Sequence, residues 1–89
     1  MKLLKEHANK IVNIEHSPVV TIPAGEFSQG DALILFNNRG EAGTIQCQVP
    51  NTYRSGYTMK YTTIEFPPRC MINAVFIDAD TVVFTRGFG

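Results

Sequence analysis

The chain has 89 residues, 44% of them hydrophobic, with eight basic and eight acidic side chains and no net charge. Its length suits one domain, and its hydrophobic content excludes a disordered chain. Balanced charge argues against nucleic-acid binding through a basic surface, which needs clustered Lys and Arg, and no apolar run approaches the ~18 residues of a transmembrane helix.

Met1-Lys2-Leu3-Leu4 opens like a signal peptide, but Lys5, Glu6 and His7 interrupt it before an apolar region forms. Folding in the cytoplasm is therefore expected. Residues 1–9 read as an N-terminal arm, too short to hold helical turns alone, with Leu3 and Leu4 as its contacts. The domain proper is expected over residues 10–89.

The first strand is expected at Lys10 to Ile14 and the second at Val19 to Ile22, stopped by Pro23, which cannot donate to a ladder. A connection from Pro23 to Asp31 follows, in which Phe27 is expected to fold back over the core. Ala32-Leu33-Ile34-Leu35-Phe36 is apolar on both parities, so both of its faces call for cover. After the turn-forming residues 37–43, Thr44 to Val49 alternates. Ile45, Cys47 and Val49 face inward, with Gln46 and Gln48 outward.

Pro50 to Tyr57 reads as a polar loop carrying Tyr53, Arg54 and Tyr57, and Thr58 to Phe66 as an edge-like strand ended by Pro67-Pro68. Cys70 to Ile77 is the second run apolar on both parities, apart from Asn73. The turn Asp78-Ala79-Asp80 leads into Thr81 to Thr85, and Arg86-Gly87-Phe88-Gly89 closes the chain. About seven strands at this spacing predict an all-β fold, a small antiparallel β-sandwich or open barrel. A sandwich covers only one face of each sheet. The seam Leu33, Leu35, Val75 and Ile77 is accordingly expected to meet a neighbouring subunit.

Motifs for chemistry are absent. Cys47 and Cys70 form no C-x-x-C pair and read as thiols at core parity. Glu6-His7 and Glu15-His16 lack the helical spacing of a metal site, and Asp78-x-Asp80 offers too few oxygens for calcium. No serine or cysteine has an evident base, and no glycine-rich phosphate loop opens a helix. No catalytic residue, cofactor or metal is expected. Tyr53, Arg54 and Tyr57 form the most binding-like group, because Tyr and Arg are favoured at contact hot spots; burial at a subunit interface is expected for them ahead of a base- or sugar-stacking platform.

The order of segments adds a resemblance. Asn9-Lys10-Ile11-Val12-Asn13-Ile14, followed by Val20-Thr21-Ile22-Pro23-Ala24-Gly25-x-Phe27-Ser28-x-Gly30-Asp31, resembles a small β module of tailed-bacteriophage virion proteins. Asn37-Asn38, Gly43-Thr44-Ile45, a tyrosine-containing loop and an apolar penultimate strand continue it across roughly residues 9–89. Two places depart from the pattern: Pro67-Pro68-Arg69-Cys70 replaces the usual Arg-Gly turn, and Val83 to Gly89 lacks the usual serine. These motifs determine a fold and carry no chemistry.

The resemblance implies a non-enzymatic virion protein. With a short arm in place of a fibre shaft, the expected role is a capsid decoration or cement protein on the head exterior, assembled in the host cytoplasm. Its expected partners are the major capsid protein and itself, as a homotrimer. Lys2, Leu3, Leu4 and Lys5 are the expected docking residues. The alternative is a tail- or head-fibre adsorption module, with Tyr53, Arg54 and Tyr57 on a host surface glycan. Neither reading involves nucleic acid or a membrane.

Overall fold

The computed structural model describes residues 1–86, so the glycine-containing end expected at 87–89 lies outside the described residues. Eight strands occur among the described residues: β1 (Ile11–Ile14), β2 (Val19–Ile22), β3 (Ala32–Asn37), β4 (Gly43–Cys47), β5 (Asn51–Arg54), β6 (Thr63–Phe66), β7 (Met71–Asp78) and β8 (Thr81–Arg86). They form a five-stranded sheet in the order β1-β3-β7-β8-β5 and a three-stranded sheet in the order β2-β4-β6. The all-β sandwich is as expected, preceded by one 3₁₀ turn at Lys5–His7.

The pairing differs from an antiparallel sandwich. From β1 to β7, successive strands alternate between the two sheets, so each connection crosses the sandwich and turns back nothing on its own sheet. Alternate strands then meet side by side. β1 with β3, β2 with β4 and β5 with β8 are parallel, while β3 with β7, β4 with β6 and β7 with β8 are antiparallel. The tight hairpin joins β7 to β8, where Asp80 N–H donates to Asp78 Oδ1 at 2.8 Å, as an aspartate turn should.

Two further boundaries move. Asn51–Arg54, expected as loop, is edge strand β5, and the strand expected from Thr58 begins at Thr63. Residues 55–61 are held elsewhere: Tyr57 N–H donates to Arg54 O at 3.0 Å and Tyr61 N–H to Thr52 O at 2.9 Å. Those bonds tie the segment back to β5 before it can join β4.

Side-chain alternation fills the space between the sheets. The inner rows are Val12–Leu35–Ile72 and Leu33–Ala74–Phe84 on one sheet, against Val20–Ile45–Ile64 on the other. All of these are buried. Phe27 is buried too, with its ring 5.1 Å from that of Phe76, so the long β2–β3 connection closes over the core as expected.

Two close contacts lock the far end. A Cβ at Gly43 would lie 2.6 Å from the Pro18 carbonyl oxygen, which accepts from Thr44 N–H at 2.9 Å. Only glycine lets β4 start so near the β1–β2 turn. Asn37, 1% exposed, directs its Nδ2 at the carbonyls of Glu41, Phe66 and Pro67, each at 3.0 Å. It thereby fastens the end of β3 to the opposite sheet.

The arm is part of this domain. Leu3 N–H donates to Thr21 O at 2.9 Å, Thr21 N–H donates to Met1 O at 2.7 Å, and the Leu3 side chain is completely buried. Lys5 Nζ donates to Asp31, whose carboxylate also accepts from Ser28 N–H at 2.9 Å. At Asn9 the chain turns with φ 62°, a conformation asparagine tolerates. Asn9 Oδ1 then accepts from Ala32 N–H at 3.0 Å.

Candidate functional site

The two outer faces differ in chemistry. Outward positions of the three-stranded sheet form the rows Val19–Thr44–Glu65 and Thr21–Gln46–Thr63. Water suits that face, and antiparallel or mixed sheets commonly present such a side. The five-stranded sheet instead shows Ile11–Ile34–Asn73–Thr85, Asn13–Phe36–Met71 and Ala32–Val75–Val83–Tyr53, with Ile77 beyond them. Ile11 is 67% exposed, Met71 43%, Val75 38% and Ile77 52%. Ile34, Phe36 and Val83 between them are half-buried.

This face is contiguous. With strands about 4.8 Å apart and a rise of about 3.4 Å per residue, it covers on the order of 400 Å². A patch of that size matches the largest on a typical monomer, and such patches are often functional. Asn73 stands at its centre, and Asn73 Oδ1 is buried without a hydrogen-bond partner.

Of the expected seam, Val75 and Ile77 lie on this face, but Leu33 and Leu35 are wholly buried between the sheets. Both runs are apolar on both parities, so the sequence could not say which parity faces out. The outward residues of β3 are Ala32, Ile34 and Phe36, and those of the edge strand β1 include Ile11, which lay outside the expected seam.

The expected docking residues also separate. Lys2 and Leu4 are exposed, whereas Leu3 belongs to the core and Lys5 is engaged by Asp31 and Ser28. Contact through Leu3 would require the arm to leave its groove. The Asp31 carboxyl is held below its ordinary pKa, first by the hydrogen bond from Lys5 and then by that from Ser28 N–H.

The Tyr53, Arg54 and Tyr57 group divides because neighbours on a strand point opposite ways. Tyr53 pairs with Val83 on the outer face, while Arg54 pairs with Phe84 on the core-facing side. There the turn Arg54-Ser55-Gly56-Tyr57 brings Tyr57 back beneath Arg54, and Gly56 supplies the positive φ of 87° that the turn needs. The Arg54 guanidinium carbon lies 4.7 Å from the Tyr57 ring centre and 5.6 Å from that of Tyr61. The two rings meet edge-on at 6.4 Å.

These side chains edge a cleft of about 580 Å³ at the mouth of the sandwich, floored by Ile72 and Phe84 and flanked by Thr63, Glu65 and Arg86. Tyr61, Glu65 and Arg86 were not singled out from the sequence. The parity of Arg54 with the apolar residues of β8 was the missing signal, and it needed the β5–β8 register.

Cys47 is buried, and burial raises the pKa of its thiol. Thr52 Oγ1 lies 3.1 Å from Cys47 Sγ and donates to Val49 O at 2.9 Å. A thiol in that setting behaves as a small apolar side chain. No group of three or more His, Cys, Asp or Glu suited to a metal occurs among the described residues. Comparison with protein-family models, with curated proteins and with solved structures found no match.

Proposed function

We propose that this chain is a structural module of a tailed-phage virion, a capsid decoration protein that packs against copies of itself through the outer face of its five-stranded sheet. The contrast between the two outer faces carries the reading. One sheet presents Thr, Gln and Glu beside a single Val, the other mostly Ile, Met, Phe and Val around Asn13, Asn73 and Thr85, and solvent alone does not favour the second.

The area argues for assembly over tight pairing. A stable interface buries about 800 Å² per partner, and the outer face offers roughly half of that. The face has two unlike halves: Ile11, Ile34, Phe36 and Met71 on one side of Asn73, and Val75, Ile77, Val83 and Tyr53 on the other. One half set against the other half of the next copy makes a head-to-tail contact, which closes into a ring such as a trimer. Weak contacts of this kind gain from being held together on a lattice.

The setting comes from the sequence motif, whose residues build this scaffold. Phe27 caps the core and Asp31 gathers the arm. In the proposed role the chain performs no catalysis. Binding the assembled shell and not its free subunits stabilises the shell by mass action.

The test is cryo-electron microscopy of particles purified from the phage that encodes the chain. Density for the sandwich on the head exterior, with its five-stranded sheet against a neighbouring copy, is expected. Particles that lack the chain would overturn the proposal, as would copies attached only to the tail.

A further inference from the structure

The cleft at the mouth of the sandwich has the makings of a ligand site. Arg54 continues the core-facing row Leu33–Ala74–Phe84, and Arg86 continues the row Val12–Leu35–Ile72. Arg54 is half-buried and Arg86 exposed, so both guanidinium groups can meet a ligand at the cleft. Among the described residues, neither guanidinium forms an ion pair or a side-chain hydrogen bond. The Arg54 guanidinium lies over the Tyr57 and Tyr61 rings, and the N–H fork of an arginine matches a carboxylate.

Other side chains in the cleft narrow the chemistry. Its volume of about 580 Å³ is of the size that holds small molecules. Edge strand β6 brings Thr63, with a hydroxyl, and Glu65, an acceptor, to the rim of the cleft from its outward face, and the tyrosines offer flat apolar surface. Glu65 accepts from hydroxyl groups, of which a sugar ring carries several, and the chain has no net charge to draw a nucleic-acid polyanion. We propose that the cleft binds an acidic sugar unit, a hexuronic-acid ring. Arg54 and Arg86 receive its carboxylate, Tyr57 takes its ring face, and Thr63 and Glu65 bond its hydroxyls. An inward-pointing charge on edge strand β5 also discourages strand addition, a role that needs no ligand.

Amide chemical-shift titration of the full ¹⁵N-labelled chain separates these roles. The probes are trigalacturonate, neutral maltotriose and inorganic phosphate. Trigalacturonate should give saturable shifts confined to residues 54–65 and 84–86. Its affinity should fall at least about tenfold in Arg54→Gln and in Arg86→Gln, the loss expected when a charged hydrogen-bond donor is removed. Lys10→Gln, an exposed change beside β1 at the far edge of the five-stranded sheet from β5, should bind like the parent. Dispersed spectra report folding, and Arg86→Gln decides the matter if Arg54→Gln does not fold. No saturation with trigalacturonate would overturn the proposal, as would equal binding of maltotriose, or phosphate competing at the same residues. None of these outcomes bears on virion attachment, so this site and the proposed function stand or fall separately.

Discussion

The Leu3 amide donates to the Thr21 carbonyl at 2.9 Å, and the Leu3 side chain behind it has no exposed surface. An N-terminal segment anchored by both backbone and side chain behaves as core. Leu3→Ala should destabilise the fold by about 2–5 kcal/mol, as large-to-small core changes do. Leu4→Ala, one residue on and 41% exposed, should cost less than about 0.5 kcal/mol. Urea denaturation of both variants measures the difference. Equal, small effects would mean the arm is not docked.

Asn37 offers two N–H donors to three backbone carbonyls, at 3.0 Å each. Asn37→Ala leaves buried acceptors without partners and should cost about 1–3 kcal/mol. Asn37→Asp should be worse at neutral pH, because a carboxylate would face those carbonyls. It should recover part of the loss in mild acid, where the carboxyl is protonated and can donate. A pH series of thermal melts on the two variants checks the sign.

Asp31 titrates below its ordinary value because Lys5 and Ser28 N–H favour its charged form. A carboxyl with a depressed folded-state pKa contributes stability that is fully present above its unfolded pKa of about 3.9. That contribution disappears as pH falls through the lower, folded-state value. The parent should therefore lose stability more steeply below about pH 4 than Asp31→Asn does, while above it the parent is the more stable of the two. Parallel slopes in acid would show that the link between arm and domain adds nothing.

Asn73 Oδ1 is buried without a partner in the middle of the apolar outer face. Replacing it with valine removes an unsatisfied acceptor and suits a strand, so Asn73→Val should stabilise the monomer by about 1 kcal/mol or more. It should also increase self-association by joining the two apolar halves. Denaturation and light scattering on the same samples measure both effects.

Much of the fold was legible because it is written in local chemistry. Alternation in Thr44 to Val49 placed Ile45 and Cys47 inside, and the Asp78–Asp80 turn marked its hairpin. Strand pairing was not legible. Connections that cross the sandwich put β1 beside β3 in parallel, and nothing in a short loop records which sheet the next strand enters. The site followed the same division. Two strands apolar on both parities announced an uncovered face, but identical composition on both sides hid that Leu33 points in and Ile34 out. The cleft depended on the β5–β8 register, which brings Arg54 into line with Phe84, thirty positions further along the chain, and has no local signature.

The central claim is that the outer face of the five-stranded sheet is a surface between copies. Val75, in the middle of β7, is the residue on which a charge would oppose that contact without entering the core. Sedimentation equilibrium of the parent chain and Val75→Lys, from micromolar to millimolar concentration, reads it directly. The parent should approach three times its 9.9 kDa mass at the upper end while Val75→Lys stays at 9.9 kDa. A parent chain that remains a 9.9 kDa species throughout, or a lysine variant that associates equally well, would contradict the account.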